Sequence, residues 1–409
     1  TMPSPQVVNP GVVIVGAGQA GGRTAQALRL AGYPGTIKLI GEEAYPPYER
    51  PPLSKDILLG KVAYESLTLL PIQQWAQLHV ELRTDTHVTA ISPDSHCIKL
   101  AGGQSIDYGT LVLATGGRAR PFLGPVAPGT QVHQLRTIDD AKRLQPQFAP
   151  GRRVALIGAG FIGLELAANA RTLGAQVTLI ETAERVLPRL LPTAFAHSLA
   201  EVHIARGVEI RLRCNVVSLS PHGVHLENGE LIPADCVVIG IGALPNDSLA
   251  RTAGLPVRDG IVVDASGRTA DPNIYAVGDV ARQVDRTNGI DIRLESWRNA
   301  EDQAVSVAAA ICGQPLPPRQ PAWFWSDQYG RNIQIVGRPT DELRLVEHGK
   351  LHSGPYLAYF LSGNVVVAAI GVDCGREINA AKRLIQAAVS VDAGALPGLR
   401  ARPPIVLIS

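Results

Sequence analysis

Two ten-residue segments of this chain nearly repeat each other, and that repetition constrains the fold more than any other feature. Val12-Val13-Ile14-Val15-Gly16-Ala17-Gly18-Gln19-Ala20-Gly21 is an apolar run that opens into a glycine-rich turn. Val154-Ala155-Leu156-Ile157-Gly158-Ala159-Gly160-Phe161-Ile162-Gly163 follows the same pattern. Helix-compatible stretches come next, Arg23 to Leu30 and Leu164 to Leu173, and then second apolar runs, Thr36 to Ile40 and Gln176 to Ile180. Strand, glycine turn, helix, strand is a βαβ unit, and two copies predict two parallel sheets.

A glycine turn between strand and helix lets backbone approach a pyrophosphate with no Cβ in the way. The helix N-terminus adds free N–H groups and a positive dipole. One such turn can be a bare structural turn. Two, each in the strand-to-helix setting the motif requires, predict two dinucleotides held by one chain. The acidic residue expected about 20 residues on is also there. In the first unit it is Glu42 or Glu43, and in the second it is Glu181. A carboxylate at that point accepts a free 2′-hydroxyl and repels a 2′-phosphate, so the expectation is NADH over NADPH, with Arg185 as a group that softens the preference.

At 409 residues the chain exceeds one hydrophobic core. Three domains are expected, the first interrupted by the second: residues 1–114 with 244–320, then 115–243, then 321–409. Strands ending at Thr115-Gly116, Gly242 and Gly278-Asp279 mark the two folds. Glu301 to Cys312 reads as a helix, Gln314 to Pro321 as a proline-rich linker, Asn332 to Val336 and Val365 to Ile370 as a small sheet, and Ala380 to Val389 as its covering helix. A net charge of only +2 argues against nucleic acid. No apolar run reaches the ~18 residues of a membrane span. Thr1 to Pro10 has no secretory pattern, and five scattered cysteines suggest a reduced, cytoplasmic setting.

Further marks are Pro47-Tyr48-Glu49-Arg50-Pro51-Pro52-Leu53-Ser54-Lys55, Leu135-Arg136-Thr137, Val277-Gly278-Asp279, Glu295-Ser296-Trp297 and Trp323-Phe324-Trp325-Ser326-Asp327-Gln328. With these, the chain resembles the FAD-dependent pyridine-nucleotide oxidoreductases of glutathione-reductase-like architecture. Within them it is most similar to the ferredoxin reductases of Rieske aromatic-ring dioxygenases and to the putidaredoxin-reductase type. The resemblance implies an α/β chain with two Rossmann-like domains and a small α+β C-terminal domain, carrying tightly bound FAD and using NADH as substrate.

The resemblance also implies the site residues. Gly16, Gly18, Gln19, Ala20 and Gly21 would hold the FAD pyrophosphate, with Glu42 or Glu43 near the ribose. Arg50 and Lys55 would lie beside the flavin. Val88, Ala114, Thr115, Gly116 and Arg136 would line the FAD site. Gly278 and Asp279 would meet the ribityl chain, and Trp297 the isoalloxazine. Gly158, Gly160, Phe161, Ile162, Gly163, Glu165, Glu181 and Gly242 would take the NADH. Lys55, Glu165 and Trp297 are the catalytic candidates, and Trp325 is expected on the acceptor-facing side. Physical chemistry supports Lys55 directly, since a cation there stabilises negative charge building on a reduced flavin. Glu165 in a first helical turn would be favoured by the dipole alone, with no function needed.

Disulfide reductases of this fold keep two cysteines beside the flavin, but Tyr45 to Gly60 has none. Electrons must therefore leave from the flavin itself. No ligand set for an iron–sulfur cluster exists in the chain, and the resemblance implies an external two-iron ferredoxin as acceptor, Rieske-type or putidaredoxin-type, that feeds an oxygenase of aromatic catabolism. Arg298, Arg319, Arg331, Arg338 and Arg344 are candidates for steering an acidic partner. A monomer or weak dimer is expected. Rubredoxin, quinone or oxygen are the alternative acceptors, and an NADH-sensing scaffold is the alternative from another class.

Overall fold

The computed structural model describes residues 9–400. The leader reading at residues 1–8, and residues 401–409 of the expected C-terminal domain, lie outside them. The chain divides into two compact units. One comprises Thr1–Pro52, Val62–Ala119 and Ala243–Arg319; the other comprises Leu53–Lys61, Arg120–Gly242 and Gln320–Ser409.

The first unit is built on a five-stranded parallel sheet in the order Ile274–Ala276, Thr110–Leu113, Val12–Val15, Ile37–Ile40, Val80–Arg83. The glycine-turn strand is central, with Val12 paired to Ile37 on one side and to Thr110 on the other. Both faces of the sheet are covered. Val12 and Ile14 pack with Leu28 and Val307, while Val13 and Val15 pack with Ile91 and Ile261. A strand buried on both faces has no polar side to present, which is why it reads as an unbroken apolar run.

The helix after this strand spans Gln19–Leu30 and so begins four residues before the expected Arg23. Glycine weakens a helix by propensity, which hides Gly21 and Gly22 from a pattern reading. A Cβ on Gly21 would sit 1.8 Å from the carbonyl oxygen of Gly16, so only glycine allows this close packing of helix on strand. The helix Trp297–Ile311 likewise starts earlier than expected, because Ser296 caps it by accepting the Asn299 N–H at 3.1 Å. It packs along Gln19–Leu30, with Glu301 accepting from Arg23 at 2.7 Å and from the Gln19 amide. An antiparallel ribbon of Gly117–Ala119 and Ala243–Pro245, absent from the sequence reading, carries the chain out of this unit and back.

The second unit repeats the plan. Its parallel sheet runs Glu209–Arg211, Gln176–Ile180, Arg153–Ile157, Cys236–Ile239, Val132–His133, again with the glycine-turn strand in the centre. The expected C-terminal sheet is larger than the two patterns suggested. Five antiparallel strands lie in the order Trp323–Gln328, Arg331–Gly337, Val365–Val372, Ser353–Ser362, Arg344–Lys350. In Ser353–Ser362, Tyr356 to Leu361 are buried in succession, so no period-two alternation exists to be read. The helix Gly375–Ala387 covers the sheet through Ile378 and Ala381 and ends on Ala388 in the left-handed region. The α/β class, with two Rossmann-like sheets and an α+β C-terminal part, is the architecture found.

Candidate functional site

In both units the three glycines divide the same labour. Gly16 and Gly158 have φ of +109° and +107°, and a Cβ on either would strike the carbonyl oxygen of Ala114 or Gly240 at about 2 Å. They make the sharp turn beside the neighbouring strand. Gly21 and Gly163 set the helix against that turn; a Cβ on Gly163 would lie 2.2 Å from the Gly158 oxygen. The middle glycines differ. A Cβ on Gly160 would meet nothing within 4 Å, and one on Gly18 would meet only Nη2 of Arg50 at 3.9 Å. Open space in front of the helix N-terminus is what a pyrophosphate requires, so each turn fits one.

Around the first turn the unit gathers most of the residues expected there. Gly278, at φ +81°, lies so close to the helix start that a Cβ would stand 2.7 Å from that of Ala20. Its N–H is held by Gln303 Oε1 at 2.8 Å. That contact brings Asp279 to the turn, in a short 3-10 segment (Gly278–Val280) rather than at the start of an α-helix. Arg50 donates to Glu43 at 2.5 Å and to the Tyr48 hydroxyl at 2.7 Å, and Tyr48 donates to the other Glu43 oxygen at 2.5 Å. Burial works against the Arg50 charge, but Tyr48, Glu43 and Asp279 outweigh it and hold its pKa above the ordinary value. Glu42 belongs elsewhere: its side chain is 77% exposed and contacts His87. The structure thus separates the two carboxylates that the sequence left open.

Ala114 closes on Gly16, and Thr115 and Gly116 are fixed by Asn246. Thr115 Oγ1 donates to the Asn246 carbonyl at 2.6 Å, Asn246 Nδ2 returns a bond to the Thr115 carbonyl, and the Asn246 N–H reaches the Gly116 oxygen. Val88 is buried, its side chain in the core with Val15 and Ile40. Trp297 is the first residue of its helix.

In the second unit, Glu181 ends the strand Gln176–Ile180 and folds back on the turn. Its Oε2 accepts the Ala159 N–H at 2.9 Å, and its Oε1 accepts the Ala183 N–H at 3.0 Å. Arg185 turns away from it, donating to the Pro188 carbonyl and to Thr193 and pairing with Asp341 at 3.7 Å. On the helix Phe161–Thr172, Ile162 is 49% exposed, whereas Phe161 is buried with its ring 4.5 Å from that of Phe324. Gly242, at φ +98°, accepts the Arg120 N–H. Leu135-Arg136-Thr137 proves to be a helix start. Thr137 and Asp140 form a capping box, and Asp140 Oδ2 also accepts the Arg136 N–H at 2.9 Å.

Glu165 requires a correction. It is the fifth residue of its helix, not part of the first turn, so the dipole argument for it fails. Its surroundings are more specific than a dipole. The side chain is 2% exposed, and Lys55 Nζ lies 3.2 Å from Oε1 and 3.3 Å from Oε2. Ser54 donates to Oε2, and Ser326 donates to Oε1 at 2.7 Å. Burial pushes the carboxyl up, against the pull of Lys55 and the two hydroxyls. One turn further along the same face, Asn169 donates to the carbonyls of Ser54 and Lys55 at 2.7 and 3.1 Å. The helix therefore holds Ser54 and Lys55 by their backbone as well as by the Lys55 charge. Lys55 Nζ also sits 5.2 Å from the centre of the Trp325 ring, which stacks on Trp323. The sequence assigned Asn169 no role; its only signal was a polar residue four positions after Glu165.

None of the five cysteines is disulfide-bonded. Burial raises the thiol of Cys236 to about 11 and that of Cys374 to about 12, the reverse of what a redox thiolate needs. Among the described residues no cluster of side chains would hold a metal ion, and no helix is long and apolar enough to cross a membrane. Of the five steering arginines, Arg298 pairs with Asp302 at 3.0 Å and Arg331 donates to the Leu351 and Gly354 carbonyls.

Residues 10–304 match the family described as pyridine nucleotide-disulphide oxidoreductase, and residues 323–399 match the reductase C-terminal family. The ferredoxin–NAD(+) reductase component of the anthranilate 1,2-dioxygenase system of Burkholderia cepacia is 42% identical, over 93% of this chain and 95% of the relative. Putidaredoxin reductase CamA of Pseudomonas putida is 38% identical, covering 92% of each. Among solved structures, the covalent putidaredoxin reductase–putidaredoxin complex superposes with a TM-score of 0.88 at 38% identity, over 94% of this chain and 95% of that one.

Proposed function

This chain belongs to the pyridine nucleotide-disulphide oxidoreductase family, and from that premise we propose that it is an NADH-dependent flavoprotein that hands single electrons to a two-iron ferredoxin. One observation carries the reading: two open glycine cradles in one chain whose Tyr45 to Gly60 segment has no cysteine. FAD, when bound, accepts two electrons as a hydride and gives them up singly.

The residues divide the work as follows. The turn from Gly16 to Gly21 offers backbone N–H groups to the FAD pyrophosphate. Arg50, fixed by Glu43 and Tyr48, adds a cation beside Gly18, and Asp279 accepts sugar hydroxyls. Ala114 to Gly116 and Trp297 complete that wall. The turn from Gly158 to Gly163 takes NADH, with Glu181 accepting the ribose hydroxyls and disfavouring a 2′-phosphate. Glu165 orients the nicotinamide carboxamide and stabilises the positive charge that develops as the hydride leaves. Lys55, 3.2 Å from Glu165, opposes the burial that pushes its carboxyl up.

The partner is a ferredoxin of the Rieske or the putidaredoxin type. The relatives support both: one is named for a dioxygenase system and another was solved bound to putidaredoxin. A cytoplasmic monomer or weak dimer, divided into domains at residues 1–114 with 244–320, 115–243 and 321–409, completes the proposal. The test is to release and identify the flavin chromatographically, then count ferredoxins reduced per NADH consumed. FAD and two ferredoxins per NADH are expected. A colourless holoprotein, or faster turnover with oxygen or a quinone than with any two-iron ferredoxin, overturns it.

A further inference from the structure

Glu165 is one end of a polar chain that runs through the second unit. Ser326, fully buried, donates to Glu165 Oε1 at 2.7 Å. Gln328, 4% exposed, donates from Nε2 to Ser326 Oγ at 3.0 Å. His203, fully buried, places Nε2 2.8 Å from Gln328 Oε1. The Tyr329 hydroxyl lies 3.1 Å from His203 Nδ1, and the Arg206 guanidinium sits 4.8 Å from the Tyr329 ring.

The donor sense of every link follows from the first. Ser326 donates its one proton to Glu165 Oε1, so its oxygen must take a proton from the Gln328 amide. That turns the Gln328 oxygen toward His203, which must then carry its proton on Nε2. The free lone pair on Nδ1 takes the Tyr329 proton. We propose that Ser326, Gln328 and His203 are positioning residues for Glu165, a one-way line of donors that fixes its carboxylate as an oriented anion opposite Lys55.

Three facts support this. Each buried link has its partner, and a fully satisfied network in a low-dielectric interior polarises along its length. Burial keeps His203 neutral by lowering its pKa, as the scheme requires. The chain also joins two different parts of the unit: Ser326 and Gln328 stand on alternate positions of the strand Trp323–Gln328, and His203 stands on the helix Thr193–Ala205. Its ordering would account for a histidine buried on that helix.

The inference rests on the assignment of Glu165 to the nicotinamide, and its test has one arm that does not. In holoenzyme labelled with 15N-histidine, His203 should show the neutral form protonated on Nε2, with no nucleotide added. An Nδ1-protonated ring overturns the line of donors whether or not NADH is the reductant. The second arm is a double-mutant cycle read by calorimetric NAD⁺ affinity and by KM and kcat for NADH. Gln328→Leu should weaken NAD⁺ binding and raise KM about tenfold, the high end for one neutral hydrogen bond. In a Glu165→Gln background the same change should stay within about twofold, because no anion remains to orient. An equal loss in both backgrounds means a merely structural role and overturns the proposal, as does no loss in the parent. Ser326→Ala, which deletes one hydroxyl, replaces Gln328→Leu in the cycle if the larger change prevents folding. A holoenzyme whose flavin NADH does not reduce at all defeats the functional reading instead and leaves the tautomer result to decide the chain.

Discussion

Asp341 caps a helix that begins 148 residues before it: its Oδ1 accepts the Thr193 N–H at 2.9 Å and its Oδ2 accepts the Thr193 hydroxyl at 2.7 Å. The first turn of Thr193–Ala205 has no local cap, since Pro192 occupies that position, so the distant carboxylate satisfies an otherwise orphaned donor. The same carboxylate faces Arg185 at 3.7 Å, and Arg185 also donates to Thr193 and the Pro188 carbonyl. Asp341→Ala is expected to cost about 0.5–1 kcal/mol after solvent screening. It should also release Arg185. The ratio of kcat/KM for NADPH over NADH should rise several-fold, and Arg185→Ala in the same background should cancel the rise. Thermal melts and paired steady-state assays check both.

Glu181 sets the baseline of that preference. It spends one oxygen on Ala159 and the other on Ala183, a geometry that places a fixed negative charge at the nucleotide turn. Glu181→Gln should lower kcat/KM for NADH about 10- to 100-fold through loss of a charge-assisted bond, with a smaller loss for NADPH. Steady-state kinetics with both nucleotides measure this directly.

The glycines predict opposite results at neighbouring positions. Gly160→Ala adds a Cβ into open space at an ordinary extended conformation (φ −78°), so the fold should lose no more than about 1 kcal/mol while NADH binding falls sharply. Gly163→Ala forces a Cβ to 2.2 Å from the Gly158 carbonyl oxygen, and the cost should be about 1–3 kcal/mol or more in stability. Denaturant melts with nucleotide titrations separate the two. The pair Gly18 and Gly21 should behave alike for flavin retention.

His203 gives the protein an acid limb. Burial lowers its folded-state pKa below that of the unfolded chain. The unfolded state then binds more protons, so the stabilisation is complete above the unfolded pKa and is lost as pH falls through the folded pKa. Stability should therefore decline below about pH 6.5, the ordinary histidine value, and His203→Gln should flatten that decline. Tm measured from pH 8 to pH 5 for both proteins checks it.

The framework was legible in the sequence because its signals are local. Val12 to Gly21 and Val154 to Gly163 announce strand, turn and helix by short-range chemistry, and Glu181 follows the second turn at the spacing the motif predicts. What was not legible depends on contacts remote in the chain. Asn169 has meaning only once its helix lies on the Ser54 and Lys55 carbonyls, and Asp341 only once it meets Thr193. Glu165 was singled out by the resemblance and placed in a first helical turn it does not occupy, because the true helix start at Phe161 is masked by glycine and by aromatic bulk. His203 sat unread in its helix, its hydrogen-bond partner 125 residues away. Ser353–Ser362 escaped because both of its faces are buried.

That one polypeptide passes electrons from NADH through a bound flavin with no cysteine between them is tested most directly by stopped flow after alkylation. Cys97, Cys214 and Cys312 are capped without unfolding and the buried Cys236 and Cys374 are replaced by alanine, and the yellow protein is mixed first with NADH and then with a two-iron ferredoxin. The account predicts that flavin bleaching by NADH and its stepwise return on adding ferredoxin proceed at rates within about twofold of the untreated protein, as expected for changes that touch no transition-state contact. Loss of either phase on capping a single cysteine would contradict it.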